Sequence, residues 1–190
     1  MKDLIVNSLK EHLAVTEAFV NDPATVKSID RAAKVIADSI KAGGKVITCG
    51  NGGSLCDATH FAEELTGRFR DSRGPLPAMA INDPAHITCT TNDYSFEDIF
   101  SRCVEALGRE GDVLCGFSTS GTSKNVVKAA DKAKEKGMKV IGFTKAGETP
   151  LAALSDVTIA VPHNGYSDRI QEMHITAVHI LIEVVEKLLA

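Results

Sequence analysis

Lys45-Val46-Ile47-Thr48-Cys49-Gly50-Asn51-Gly52-Gly53-Ser54 is the stretch on which the fold turns. Its first half is a short β-branched run with no charge after Lys45, the pattern of a buried strand. Its second half has three glycines in four residues, so the backbone can take positive φ and approach a ligand closely. The segment from Leu55 to Phe69 has no proline and no glycine until Gly67, and it reads as helix. Strand, glycine turn and helix in succession leave free backbone N–H groups at a helix N-terminus, where an anion or a polyol oxygen can sit. On that helix His60 and Glu64 share a face, about 40° apart around the axis.

The same unit recurs outward. Downstream, strands are expected at 77–81, 112–117, 139–144 and 157–161. Between them lie an irregular stretch at 82–94 with a short helix near His86, a helix capped by Ser95 and ending at Gly108, a helix opened by residues 118–123 and ending at Gly137, and a helical turn at 151–154. A last helix covers 168–189. Upstream, residues 3–20 read as an amphipathic helix with Ile5, Leu9, Leu13 and Val20 on one side. Asp22-Pro23 then caps a second helix, striped with Val26, Ile29, Ala33, Ile36 and Ile40 and stopped by Gly43-Gly44. Alternating strands and helices predict an α/β fold whose parallel sheet is covered on both faces. Ligands of such sheets sit beyond the carboxyl ends of the strands, where both the glycine loop and residues 118–123 fall. The two N-terminal helices pack either on the sheet or on a neighbouring subunit.

The chain has 190 residues, enough for one domain with a full core, and neither a repeat nor a linker divides it. Twenty-one Lys and Arg against 25 Asp and Glu give a net charge of -4. No basic run interleaves with aromatics, which disfavours nucleic acid as a partner. The start, Met1 to Asn7, lacks the apolar core of a signal peptide, and no stretch has the ~18 apolar residues of a membrane span. Five cysteines without a Cys-x-x-Cys pair read as reduced thiols of a cytoplasmic protein.

Three features carry chemistry. The glycine loop has Leu55 where a dinucleotide fingerprint requires glycine, and no Gly-Lys-Ser/Thr is present, so nicotinamide and ATP chemistry are disfavoured. Ser118-Thr119-Ser120-Gly121-Thr122-Ser123 has more hydroxyls than a helix cap needs. Ser118, Thr119, Ser120 and Ser123 suit a phosphate monoester held by neutral donors, with only Lys124 as a nearby cation. The third feature is the pair His60 and Glu64 with Asp168, Gln171, His174 and His179 on the last helix. Histidines on an apolar helix are commonly satisfied core residues, and a His–Glu pair is commonly a solvated face. The set also suits a divalent metal such as zinc, or an acid–base pair beside a carbonyl.

Taken together, Gly50-Asn51-Gly52-Gly53-Ser54, Phe61-Ala62-Glu63-Glu64-Leu65-Thr66-Gly67-Arg68, Ser118-Thr119-Ser120-Gly121 and Asp168-Arg169-Ile170-Gln171-Glu172 resemble the bacterial phosphoheptose isomerases, sugar-isomerase (SIS) domain proteins, over nearly the whole chain. The resemblance implies a single SIS domain over 1–190: a three-layer, flavodoxin-like sandwich with a five-stranded parallel sheet and two extra N-terminal helices. It implies a cytoplasmic homotetramer with active sites near subunit interfaces, converting D-sedoheptulose 7-phosphate to D-glycero-D-manno-heptose 7-phosphate on the route to lipopolysaccharide. By matching position, Glu64 is the base and His179 the acid. Asn51, Gly52, Gly53, Glu64, Asn92, Asp93, Ser118, Thr119, Ser120, Ser123 and Gln171 bind substrate, and His60, Glu64, Gln171 and His179 bind zinc. The family often has His at the position of Leu55 and Met at that of Thr59, neither carrying chemistry here. Gln171 and His179 lie about 12 Å apart in helix rise and about 80° in rotation, an awkward pair for one metal on one straight helix. The rival readings are a SIS-domain binding protein (a replication-initiation regulator or sugar-phosphate sensor) and an isomerase of a shorter sugar phosphate.

Overall fold

A computed structural model describes Met1–Ala190. Five parallel strands, β1 (Val46–Gly50), β2 (Ala78–Ala80), β3 (Val113–Phe117), β4 (Lys139–Lys145) and β5 (Val157–Val161), form one sheet in the order β2-β1-β3-β4-β5. Eight α-helices accompany it: α1 (Lys2–Asn21), α2 (Pro23–Lys41), α3 (Gly53–Thr66), α4 (Pro84–Asp93), α5 (Ile99–Leu107), α6 (Lys124–Glu135), α7 (Pro150–Leu154) and α8 (Ser167–Leu189). No helix is long and apolar enough to cross a membrane.

The strands are read on both faces, as parallel sheets require. Val46, Val113, Cys115, Phe117, Ile141 and Phe143 point to one side, where α2, α3 and α8 bring Ile36, Phe61, Leu65, Met173 and Leu181. Ile47, Cys49, Leu114 and Val140 point to the other, against Phe100 and Val104 of α5 and Val126 and Ala130 of α6. Three layers result. The strand order reverses at β1 and β3, which pair with Gly50 opposite Phe117, so the loops after these two strands share one crevice.

Local signals account for most element boundaries. Asp22 accepts from the Ala24 N–H and Pro23 occupies the first turn, so α2 starts where the sequence expects it. Several limits shift. Helix α3 begins at Gly53 and ends at Thr66, because the glycine loop folds into its first turn and Gly67 ends it. Residues 84–93 form a full helix, since Asp83 accepts from the His86 N–H and Pro84 follows it. Ser95 bonds the Asp98 carboxylate rather than capping a backbone N–H, and a 3-10 turn (Phe96–Asp98) precedes α5. Helix α1 buries Val15 and Phe19 and leaves Ile5, Leu9, Leu13 and Val20 exposed, so its expected apolar stripe faces outward in the single chain. What anchors α1 is polar: buried Arg169 donates to Glu11, Glu172 and Ser8, and His12 Nδ1 bonds Glu172 at 2.8 Å.

His174, in the middle of α8, belongs to the core. It is fully buried, edge-on to Phe117 and Phe143, with Nε2 3.4 Å from the Thr144 carbonyl. Burial lowers its pKa from 6.5 to about 4, opposed by the Thr144 bond. The unfolded chain therefore binds the extra proton between these values, so stability gained through His174 rises with pH across about 4 to 6.5 and is lost on acidification. The window corresponds to about 3 kcal/mol. Denaturant titrations of wild type and His174→Leu across pH 4–7 should show a flatter acid limb in the variant.

Candidate functional site

Gly50-Asn51-Gly52-Gly53 turns from β1 into α3, with Gly52 at φ 54° and ψ -125°. That φ is in the left-handed range where side chains are strained. Gly53 is required by proximity instead: a Cβ there would lie 2.6 Å from Gln171 Oε1. The amide of Gln171, on the first turns of α8, thus closes on the start of α3. Asn51 and Asn125 exchange side-chain amide bonds of 2.8 and 2.9 Å, tying the glycine loop to the first turn of α6.

The hydroxyl loop is knitted together by its own side chains. Ser118 Oγ donates to Ser123 Oγ at 2.9 Å, and Ser120 Oγ lies 2.9 Å from Thr122 Oγ1. The Thr119 carbonyl accepts from the Lys145 N–H, which fixes the loop to the end of β4. Ser123 is the N-cap residue of α6, yet its side chain makes no cap bond. The hydroxyls thus converge on one another at a helix N-terminus, where an anion gains from both the N–H groups and the dipole. Lys124 does not join them: it pairs with Glu97 at 2.9 Å, well exposed. Asn92 and Asp93 lie exposed on the last turn of α4 and bond each other at 2.7 Å. That bond and the Cys89 thiol hold the Asp93 carboxyl below its usual range.

Deeper along α3, His60, Glu64 and His179 converge, with one ligand atom from each within 4.8 Å of the others. His60 Nε2 is 3.0 Å from His179 Nε2 and 3.5 Å from Glu64 Oε1. On its other side His60 Nδ1 is 3.2 Å from Glu63 Oε2. A proton on Nδ1, donated to Glu63, leaves the Nε2 lone pair for a cation or a proton. Glu64 Oε2 is buried without a partner. Two imidazole nitrogens and a carboxylate, with one orphaned oxygen, suit a divalent metal. Phe69 stacks on His179 at 5.7 Å and walls the group. Gln171 touches Gly53, seven residues before His60 on α3 and about 10 Å away in helix rise. Three of the four expected metal ligands therefore meet, while the fourth faces the glycine loop from an uninterrupted α8.

Three further residues belong to the site's surroundings and are less legible in sequence. Asn125 is hidden in a helix that reads as polar. Arg73 lies in a loop with no motif. Asp57 shares one α3 stripe with Gly53, His60 and Glu64, at spacings of four, three and four, and this periodicity is the signal that finds it. It is 9 % exposed, and its Oδ2 has no hydrogen-bond partner.

The residues that match across proteins can now be placed on this frame. Residues 10–145 match the SIS domain family. Over 189 residues, all of this chain and 98% of the relative, the sequence is 58% identical to the phosphoheptose isomerase of Escherichia fergusonii. The chain belongs to the phosphoheptose isomerases of the SIS-domain family. Solved members agree in shape. The phosphoheptose isomerase of Neisseria gonorrhoeae superposes with a TM-score of 0.91 at 36% identity over 98% of both chains. That of Francisella tularensis gives 0.92 at 35% over 97% of both. The SIS domain here thus has the family's five-stranded parallel sheet and flanking helices, as the sequence predicts.

Burial raises the pKa of Asp57 from 3.8 to about 6, partly opposed by nearby His60. Between these values the folded chain holds a proton that the unfolded chain has lost, so this residue's contribution to stability falls as pH rises. Asp57→Asn is therefore expected to raise the melting temperature of chelator-treated protein at pH 8, and the gain should shrink as pH falls through 6 and vanish near 4.

Proposed function

We infer that the chain is an aldose–ketose isomerase that converts D-sedoheptulose 7-phosphate to D-glycero-D-manno-heptose 7-phosphate. The observation that carries this reading is the pairing of a hydroxyl-rich helix N-terminus with a half-buried Glu64–His60–His179 group in a chain 58% identical to phosphoheptose isomerases. A SIS-domain protein that only senses sugar phosphates needs the first element and has no use for the second.

The phosphate is held by Ser118, Thr119, Ser120 and Ser123, with Asn51, Gly52, Gly53 and Gln171 along the sugar and Asn92 and Asp93 contributing from α4. Glu64 takes a proton from C1 of the ketose, and the electron pair left behind forms the C1–C2 double bond of an enediol. His179 gives a proton to O2 as the carbonyl opens and removes one from O1 as the aldehyde forms. Glu64 then returns its proton to C2, which closes the proton balance. The partnerless Oε2 of Glu64 supports the base role, since no donor holds its charge in place. Zinc is the proposed metal: His60, Glu64 and His179 would hold it, with Gln171 left to the sugar at the glycine-loop end, and it would supply Lewis-acid polarisation of the carbonyl. The protein is proposed to act in the cytoplasm as a homotetramer. The exposed Ile5, Leu9, Leu13 and Val20 of α1 support that assembly, since a stripe of this length is rarely left to water.

Incubation with sedoheptulose 7-phosphate in D₂O, followed by NMR, tests both substrate and route. Aldose carrying deuterium at C2 is expected, and Glu64→Gln should abolish it by at least 10³-fold while the fold persists. A variant that keeps near-normal rates removes Glu64 from the base role. Ser120→Ala should raise KM several-fold and leave kcat nearly unchanged, because the phosphate is bound alike in ground and transition states. A loss confined to kcat would contradict that division.

A further inference from the structure

Glu64 and His179 come from different helices, so their separation depends on whatever fixes α3 against α8 at that depth. The upper end of this contact is closed by Gln171 on Gly53. The lower end is closed by a residue no motif includes. Arg73 is largely buried, with 17% of its side chain exposed, and it spends its whole guanidinium on this seam. Nη2 donates to the Glu64 carbonyl at 2.8 Å, and Nη1 donates to the Leu65 carbonyl at 2.9 Å, with longer bonds to Gly74 and Gly67. Nε donates to Glu186 Oε1 at 2.6 Å.

These acceptors have a common meaning. Glu64 and Leu65 lie in the last turn of α3, whose carbonyls have no partner within the helix, and a cation there also complements the helix dipole. Glu186 lies seven residues after His179 on α8, about 20° from it around the axis, hence on the same face. One planar fork therefore grips the turn that carries Glu64 and the face that carries His179. The loop it closes also returns Leu76, whose N–H donates to the Leu65 carbonyl at 2.9 Å, and presses Phe69 onto the His179 ring.

We propose that Arg73 is a positioning residue of the isomerase centre, setting the distance between Glu64 and His179 by clamping the end of α3 to Glu186 of α8. It touches neither substrate nor reacting atoms. The assignment rests on the isomerase reading of this site, and wild-type turnover of the seven-carbon ketose phosphate tests that reading by itself. Loss of a fork of this kind lets the two helices shift, and a misplacement of about 1 Å can lower a rate on the order of 10²-fold.

The test compares Arg73→Ala, Arg73→Lys and Glu186→Gln with wild type in kcat, KM, cobalt(II) affinity at the His60–Glu64–His179 group, inorganic phosphate affinity and melting temperature. Arg73→Ala is expected to lower kcat by ten- to a hundredfold and cobalt affinity by about tenfold, with phosphate affinity unchanged at the distant hydroxyl loop. Lysine keeps a charge at the helix end but not the fork, so Arg73→Lys should recover melting temperature and leave kcat low. Glu186→Gln keeps an acceptor for Nε and should give a smaller loss in the same pattern, which serves if Arg73→Ala does not fold. Wild-type kcat and cobalt affinity in a folded Arg73 variant would overturn the assignment. So would a lysine variant in which kcat recovers in step with melting temperature, the mark of a purely structural cap. An inactive wild type would instead sink the isomerase reading.

Discussion

The chemistry of this chain depends on the side-by-side packing of α3 and α8. Both helices return from the carboxyl end of the sheet against the direction of their strands, so they run parallel to each other on one face. Equal rise per residue keeps parallel helices in step: Gly53 meets Gln171, and seven residues further His60 meets His179, eight residues beyond Gln171. A contact made at the crevice is thus repeated about 10 Å deeper, and a site two turns long is built from one pair of helices. Replacing Gly53 by any residue with a Cβ would displace Gln171 and disturb this register from the top.

The seam is also where the fold gives up stability. Asp57 and Glu64 each bury a carboxylate oxygen without a partner, beside two imidazoles. An unpaired buried polar group costs on the order of 1–3 kcal/mol. The layer behind the seam offsets this with a continuous apolar cluster that includes Phe61, Leu65, Met173 and Leu181. Asp57 and His174, close in space to the same layer, respond to acid in opposite directions, because burial disfavours the charged form of each and the charged forms sit on opposite sides of their titrations.

How much of this is legible in the sequence follows from the range of the interactions. The strands, the three layers and the crevice at the glycine and hydroxyl loops rest on local periodicity and turn chemistry, carried by the apolar runs along the chain and by the loops at 50–53 and 118–123. The limits of α3 and the helix at 84–93 depend on how a cap folds, which Gly52 and Asp83 decide only in three dimensions. Within the site, His60 and Glu64 are legible as a helical pair, but their junction with His179 crosses 119 residues of chain. Gln171 shows the limit most clearly. Its position in a motif says that it serves the site, while its place on a straight helix, opposite Gly53, says which end of the site it faces. Arg73 is illegible because the carbonyls it bonds carry no sequence signal and its side-chain partner, Glu186, lies 113 residues away.

The seam also sets how its acidic and imidazole groups line up in depth. Side chains on a helix tilt towards its N-terminus, so the Glu64 carboxylate hangs back to the level of His60 rather than a turn beyond it, consistent with their 3.5 Å contact. That convergence holds only while α3 and α8 stay in register, which the contacts at both ends of the seam, Gln171 on Gly53 and Arg73 on Glu186, maintain.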